Sequence, residues 1–225
     1  VITAKDLGVG VHIRSADSGA SVDANADELV IENSGGCGLT ILSGTSNLGR
    51  IAFGDSGAAM NGRVQYDHTN DSLDFYTSGT EHMSIDSTGA VTKPLQPAFM
   101  AKSASAQSLS SGANDIAFGT EIFDQNADFS TPSFTAPITA RYLLTYQITL
   151  TTVAGTHFEG KLTTSNNTII RTSGDIKDAD GDMTMAASYV LDMDASDTAK
   201  LVIGLNGSCT GADGINCMFS GALLC

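Results

Sequence analysis

The chain has 225 residues, with 11 basic and 25 acidic side chains, a net charge of −14 and a pI near 4.3. Such a surface repels phosphate backbones, which argues against nucleic-acid binding, and no apolar run is long enough for a membrane-inserted helix. Charged residues make up only 16% while glycine supplies 24 positions, a balance that favours short strands joined by turns over charge-laced helices.

The opening VITAKDLGVGVHIRS lacks the basic-then-apolar pattern of a signal peptide and reads as the interior of a longer protein. Gly8-Val9-Gly10 opens no helix and so offers no phosphate loop. Up to about residue 95 the chain is a run of short phrases: LVIEN, LTILSG, GRIAFGDSG, GRVQYDHTNDSLDFYTSG and HMSIDSTGAV. Each holds two or three alternating apolar residues, such as Ile51 and Phe53 or Val64 and Tyr66, and ends in Gly, Asn, Asp or Ser. Such strands bury too little to stand alone, so they are expected to stack along the chain or between chains. No fixed period marks a solenoid. Pro94 and Pro97 then stiffen a connector over residues 92–99, dividing a β-rich shaft or neck, 1–95, from a head, 96–225.

The head's strands are longer. AFMAKSAS and IAFGTEIFD (116–124) precede SFTAPITARYLLTYQITLTT (133–152), in which Tyr142, Leu144, Tyr146, Ile148 and Leu150 alternate with mostly polar residues. A period of two predicts a strand with one buried face, worth roughly 1.5–3 kcal/mol per large side chain as an upper bound. HFEGKLTTS, NTIIRTS, MTMAASYVLDM, AKLVIGLNG and NCMFSGALLC continue the pattern and predict a sandwich or barrel.

Chemistry-bearing motifs are few. Neither GxSxG nor HExxH occurs, and 25 acidic residues make chance carboxylate pairs certain; a depolymerase acting through two carboxylates is the one enzymatic alternative. In DIKDADGDM (175–183), Asp178, Asp180 and Asp182 with Gly181 read either as part of a calcium loop or as a polar turn; no glutamate stands at the twelfth position of an EF-hand. Among the four cysteines no CxxC pair suggests zinc, and Cys209 and Cys217 either bridge a hairpin as a disulfide or remain free buried thiols.

The phrases GRIAF (49–53), GRVQY (62–66) and SLDFYTSGTEHMSIDSTGAV (72–91) resemble the region that many tailed-phage fibre proteins carry before their final domain, with His82 where arginine is usual. PAFMA, IAFGTEIFDQNADF, FTAPITARYLLTYQI, LDMDASDTAKLVI and a terminal FSGALL, in that order, resemble the globular head of complement component 1q and its tumour-necrosis-factor relatives. Ala140 and Ser196 stand where that family has glycine, and Ala222 replaces its second terminal aromatic.

These resemblances imply an all-β chain: an N-terminal short-strand trimeric shaft or β-prism-like region, then a ten-stranded jelly-roll β-sandwich head. They imply a homotrimer at the tip of a virion tail fibre, joined to the upstream part of the fibre and attached to a bacterial surface glycan or outer-membrane protein. A structural fibre or decoration protein, or a secreted complement-type recognition protein, are the alternatives. Phe219, Leu223 and Leu224 belong to the core or to the trimer axis. Counting antiparallel strands back from the end puts residues 152–157, 173–183 and 206–216 at the apex and 192–198 at the base. The candidate receptor-binding residues are therefore Thr156, His157, Asp175, Lys177, Asn206, Ser208 and Asp213. Complement-type heads bind calcium apically, which makes Ca²⁺ at Asp178, Asp180 and Asp182 the one cofactor to consider.

Overall fold

The computed structural model describes residues 10–155, 157–166, 169–173, 181–211 and 216–224, and among them there is no helix. The chain divides into two units, one of Val1–Thr80 with Ser84–Val91 and one of Glu81–Met83 with Thr92–Cys225.

In the first unit β1 (Val11–Arg14) and β2 (Leu29–Glu32) pair in parallel. β3 (Leu48–Phe53), β4 (Gly62–Asp67), β5 (Ser72–Thr77), β6 (Thr80–Ile85) and β7 (Val91–Thr92) form a sheet in chain order. Turn chemistry sets this meander. Asp67 accepts from the Thr69 N–H at 2.7 Å and the Asn70 side chain at 3.0 Å, and Asp86 accepts from the N–H groups of Thr88 and Ala90. LTILSG, expected to be a strand, has no ladder partner among the described residues, because apolar alternation does not make a strand without a neighbour to bond.

The second unit contains β8 (Ala98–Lys102), β9 (Gln107–Leu109), β10 (Gly112–Asp115), β11 (Thr120–Asp124), β12 (Phe129–Ser130), β13 (Ser133–Thr135), β14 (Ala140–Ala154), β15 (Phe158–Thr164), β16 (Ile169–Ser173), β17 (Met183–Met193), β18 (Thr198–Leu205), β19 (Ser208–Gly211) and β20 (Met218–Leu223). One sheet runs β11-β8-β20-β14-β19-β9, with β17 also paired to β14. The other runs β12-β13-β18-β15-β16, with β10 also on β18. This is a jelly-roll sandwich. Its long positions are more interrupted than the sequence suggests: β8 and β9 pair along β20 and β19, which themselves both pair with β14.

The alternation in β14 meets the opposite sheet as expected. Tyr142, Leu144, Tyr146, Ile148 and Leu150 are fully buried. The half of the core towards Ala98 and Leu223 is aromatic: Phe99 stacks on Phe129 and Phe134 with centroids 4.8 and 5.0 Å apart and meets Phe219 edge-on at 5.1 Å. Phe219 thus belongs to the core, Leu223 packs partly against it, and Leu224 is exposed. Cys209 and Cys217 are buried and form no disulfide with each other, so the thiol alternative holds; burial pushes the Cys209 thiol above its ordinary pKa.

Candidate functional site at one end of the head

Strand direction defines the two ends. β14 rises from Ala140, where Leu223 and Met193 lie beside its first residues, to Ala154, where Ser208 is its partner. The end marked by Ala154 also gathers the turn after β14, the segment leading into β17, the β18–β19 turn and the β9–β10 turn. Gly112 pairs with Leu205, Phe158 pairs with Leu205 from the other side, and the Val153 N–H donates to the Gly181 carbonyl at 3.2 Å.

Two of the expected recognition residues are joined directly. The His157 N–H donates to Asn206 Oδ1 at 2.9 Å, and the Asn206 N–H donates to the His157 carbonyl at 3.3 Å. This reciprocal pair closes two loops 49 residues apart into one surface. Two glycines permit the close approach. Gly155 has φ of 151°, and a Cβ there would lie 3.0 Å from Asn206 Oδ1 and 3.3 Å from the Phe158 ring. A Cβ on Gly207 would overlap the Ala154 carbonyl oxygen and come within 2.9 Å of the Gly155 Cα.

The expected 206–216 loop is shorter than a strand count suggests. Ser208 already begins β19, opposite Ala154, so only Asn206 and Gly207 form the turn. The four-residue Ser-Cys-Thr-Gly strand carries too little apolar alternation to be read from sequence. Asp182 stands just before β17 at this same end. Thr156, Asp175, Lys177, Asp178, Asp180 and Asp213 lie outside the described residues. Among the described residues no three His, Cys, Asp or Glu side chains gather to hold a metal.

A further turn escaped the sequence reading. Asn114 Nδ2 donates to the carbonyls of Ser110 (2.8 Å), Gly112 (3.2 Å) and Ile203 (3.3 Å), while Asn114 Oδ1 accepts from the Ser110 N–H at 3.1 Å. One amide thereby folds residues 110–113 and ties them to β18. The run Ser110-Ser111-Gly112-Ala113-Asn114 is the turn signal that would have located it.

The opposite end is held by carboxylate chemistry. Asp197 accepts from the Ser165 hydroxyl at 2.7 Å, the Asp194 N–H at 2.9 Å and Asn166 Nδ2 at 3.0 Å. These bonds, Ser165 foremost, hold its carboxyl below the ordinary value. Ser196, one of the departures from glycine, takes φ of 75°, the left-handed region that favours glycine.

The outward face of β14 and β17 is uncharged along its middle. Leu143, Thr145, Gln147 and Thr149 stand beside Val190, Ser188, Ala186 and Thr184, with hydroxyl pairs at 2.9 Å (Thr145–Ser188) and 2.8 Å (Thr149–Thr184). Leu143 and Val190 are 37% and 56% exposed. Next to them Ala222, at the aromatic position of the related heads, opens a hollow of about 260 Å³ with Met100, Phe123 and Leu143 on its walls.

A family model described as the C1q domain matches residues 98–224. The globular domain of zebrafish complement 1qA protein aligns at 15% identity over 58% of this chain and 98% of its own, with a TM-score of 0.45. Murine APRIL, crystallised at pH 5.0, aligns at 10% identity over 57% of this chain and 99% of its own, with a TM-score of 0.48. Rabbit GITRL gives 12% identity, 57% and 94% coverage and a TM-score of 0.38. No curated protein sequence matches the chain.

Proposed function

Because the chain belongs to the C1q domain family, we propose that its head is a recognition module rather than an enzyme, and that three heads form the tip of a bacteriophage tail fibre. In this reading the surface around His157, Asn206 and the 110–113 turn attaches to a receptor on the bacterial surface, and the protein resides in the virion. The observation that carries the recognition role is the convergence of those loops, joined by the Asn206–His157 pair, on a rigid sandwich. Its amide and hydroxyl groups suit the hydroxyls of a glycan; an outer-membrane protein is the other receptor class. Asp178, Asp180 and Asp182, which precede β17 in the sequence, are the candidate calcium ligands.

Self-association of the heads is supported by the uncharged strip of β14 and β17. A chain of net charge −14 repels its own copies, and the carboxylate-free middle of this face is where they can approach. The fibre assignment draws on the GRIAF, GRVQY and MSIDSTGAV phrases of the N-terminal unit.

The labelled full chain, added to a panel of bacteria, should adsorb saturably to a subset of strains. Periodate treatment of the cells should abolish adsorption if the receptor is a glycan, and protease treatment if it is a protein. Absence of adsorption to every strain, alongside capture of soluble animal or bacterial ligands, would favour a secreted complement-type recognition protein, a reading the family membership equally allows.

A further inference from the structure

The N-terminal sheet has its polarity reversed for a sheet exposed to water on one side. One face carries Arg50, Arg63, Gln65, Asp74 and Tyr76, and these side chains satisfy one another. Gln65 Oε1 accepts from Arg50 Nε at 3.2 Å and Arg63 Nε at 3.0 Å, and Gln65 Nε2 donates to Asp74 Oδ2 at 3.2 Å. Ser84 donates to Asp74 Oδ1 at 2.7 Å, and the Arg63 guanidinium lies 3.4 Å from the Tyr76 ring centroid. Gln65 and Asp74 are each only 5% exposed. The centre of the polar face is therefore closed, with Arg50 exposed at its edge.

The register puts Ile51, Phe53, Val64, Tyr66, Leu73 and Phe75 on the other face: Ile51 pairs with Val64, Val64 with Phe75 and Tyr66 with Leu73. This apolar face is the open one. Phe53 is 62% exposed, Ile51 49% and Tyr66 39%. The unpaired LTILSG segment runs beside Gly49 and adds Leu39 and Ile41, 61% and 44% exposed, to one wall of a groove of about 280 Å³ over this face.

We propose that this apolar face is a self-association surface, occupied by the same face of other copies of this chain. It goes beyond the pairing of heads, since every residue involved belongs to the first unit. Area and charge choose the occupant. Taking roughly 150–250 Å² for a fully exposed large side chain, the five exposed residues offer on the order of 500 Å² per copy. The half-buried Val64, Leu73 and Phe75 add to this, approaching the ~800 Å² per partner of a stable interface. A contiguous apolar patch of this size is at the upper end of what monomers expose, and such patches often mark interaction sites. The six side chains of the face are uncharged, so copies of an acidic chain meet there without bringing carboxylates together.

The test uses the full chain with Cys37 and Cys225 changed to serine, carrying either Ile51→Cys or, as an exposed-turn control, Ser87→Cys. Under a mild oxidant, Ile51→Cys should form interchain disulfides at least tenfold faster than Ser87→Cys. Equal rates overturn the inference whatever the mass of the assembly, and would indicate that another ligand or no ligand covers the face. Light scattering on the same samples separates this from the reading of the heads. Fast cross-linking with a mass that falls to one chain on Leu143→Asp dilution keeps the N-terminal surface as a weaker, independent contact. A threefold mass with equal rates leaves the heads as the sole contact and sinks the proposal.

Discussion

Replacing Gly207 with alanine perturbs the proposed recognition surface and little else. The added Cβ would overlap the Ala154 carbonyl oxygen, lie 2.7 Å from the Ala154 carbonyl carbon and 2.9 Å from the Gly155 Cα. All three are main-chain atoms at a strand end, so no side chain can swing aside; the turn itself must lift. Lifting it separates Asn206 from His157 and breaks the pair of bonds at 2.9 and 3.3 Å. At about 0.5–1.5 kcal/mol net for each hydrogen bond, the cost is roughly 1–3 kcal/mol. The aromatic half of the core, at the other end of β14, is untouched. The expected result is a fall in melting temperature of several degrees with strand content by circular dichroism unchanged, and adsorption reduced well beyond the loss of folded protein. Asn206→Ala removes only the side-chain half of the pair, the bond from the His157 N–H to Oδ1, and brings no steric clash, so it should reduce adsorption with a smaller thermal effect. If Gly207→Ala melts and adsorbs like the original chain, the two loops do not form a single surface.

Leu143→Asp places a carboxylate on the uncharged strip and should convert a particle of three 23.2 kDa chains into single chains by light scattering at micromolar concentration. Ser196→Gly relieves a left-handed residue at φ of 75° and should stabilise the head by about 1 kcal/mol or somewhat less, read from chemical denaturation. The Asp197 carboxyl is depressed in the folded head, so its contribution is fully present above the ordinary value of 3.8 and is lost as pH falls through the lower folded value; melting curves should be flat from pH 7 to 5 and drop below about 3.8, and Asp197→Asn should blunt that drop. Calcium at millimolar concentration should raise the melting temperature relative to chelator, with affinity in the ~10⁻⁴–10⁻³ M range, and Asp180→Ala should abolish the shift; equal shifts in both proteins mean that the DADGD run is only a polar turn.

Long, strictly alternating strands were legible from residues alone. β17 spans the eleven residues of MTMAASYVLDM, and β14 buries each of the five residues that the period of two selects. Short strands were not. β9, β10, β12 and β19 have two to four residues each, too few to show any period, and for β9, β10 and β19 the ladder partners lie far away in sequence. LTILSG failed in the other direction, with a good pattern and no partner. At the proposed recognition surface, the polar-loop pattern singles out His157 and Asn206 as candidates, but their mutual bonds depend on Gly155 and Gly207 admitting close backbone approach, which composition does not reveal. The Ser110–Asn114 run marks a turn, but nothing in it distinguishes Asn114 as the residue whose amide organises that turn and reaches Ile203.

The two ends of the head are stabilised by different means, and the difference bears on function. Near the base, stacked Phe99, Phe129 and Phe134 meet Tyr142 and Phe219, and the Asp197 cluster fixes the connecting turns. Towards the apex the core is mostly aliphatic, with Ile148, Leu150, Met183, Met185 and Leu205 beside the single ring of Phe158, and methionine adapts its shape more readily than an aromatic ring. The apical turns are then tied by amides and main-chain bonds: Asn206 to His157, and Asn114 to its own turn and to Ile203. Changes in apical side chains that leave these ties intact therefore do not reach the aromatic base. Surface-loop substitutions of that kind usually alter stability by no more than about 0.5 kcal/mol. A head built this way can vary its apical surface while the end through which the chain enters and leaves stays constant, which is what the proposed attachment to a fibre and recognition of a receptor would together require.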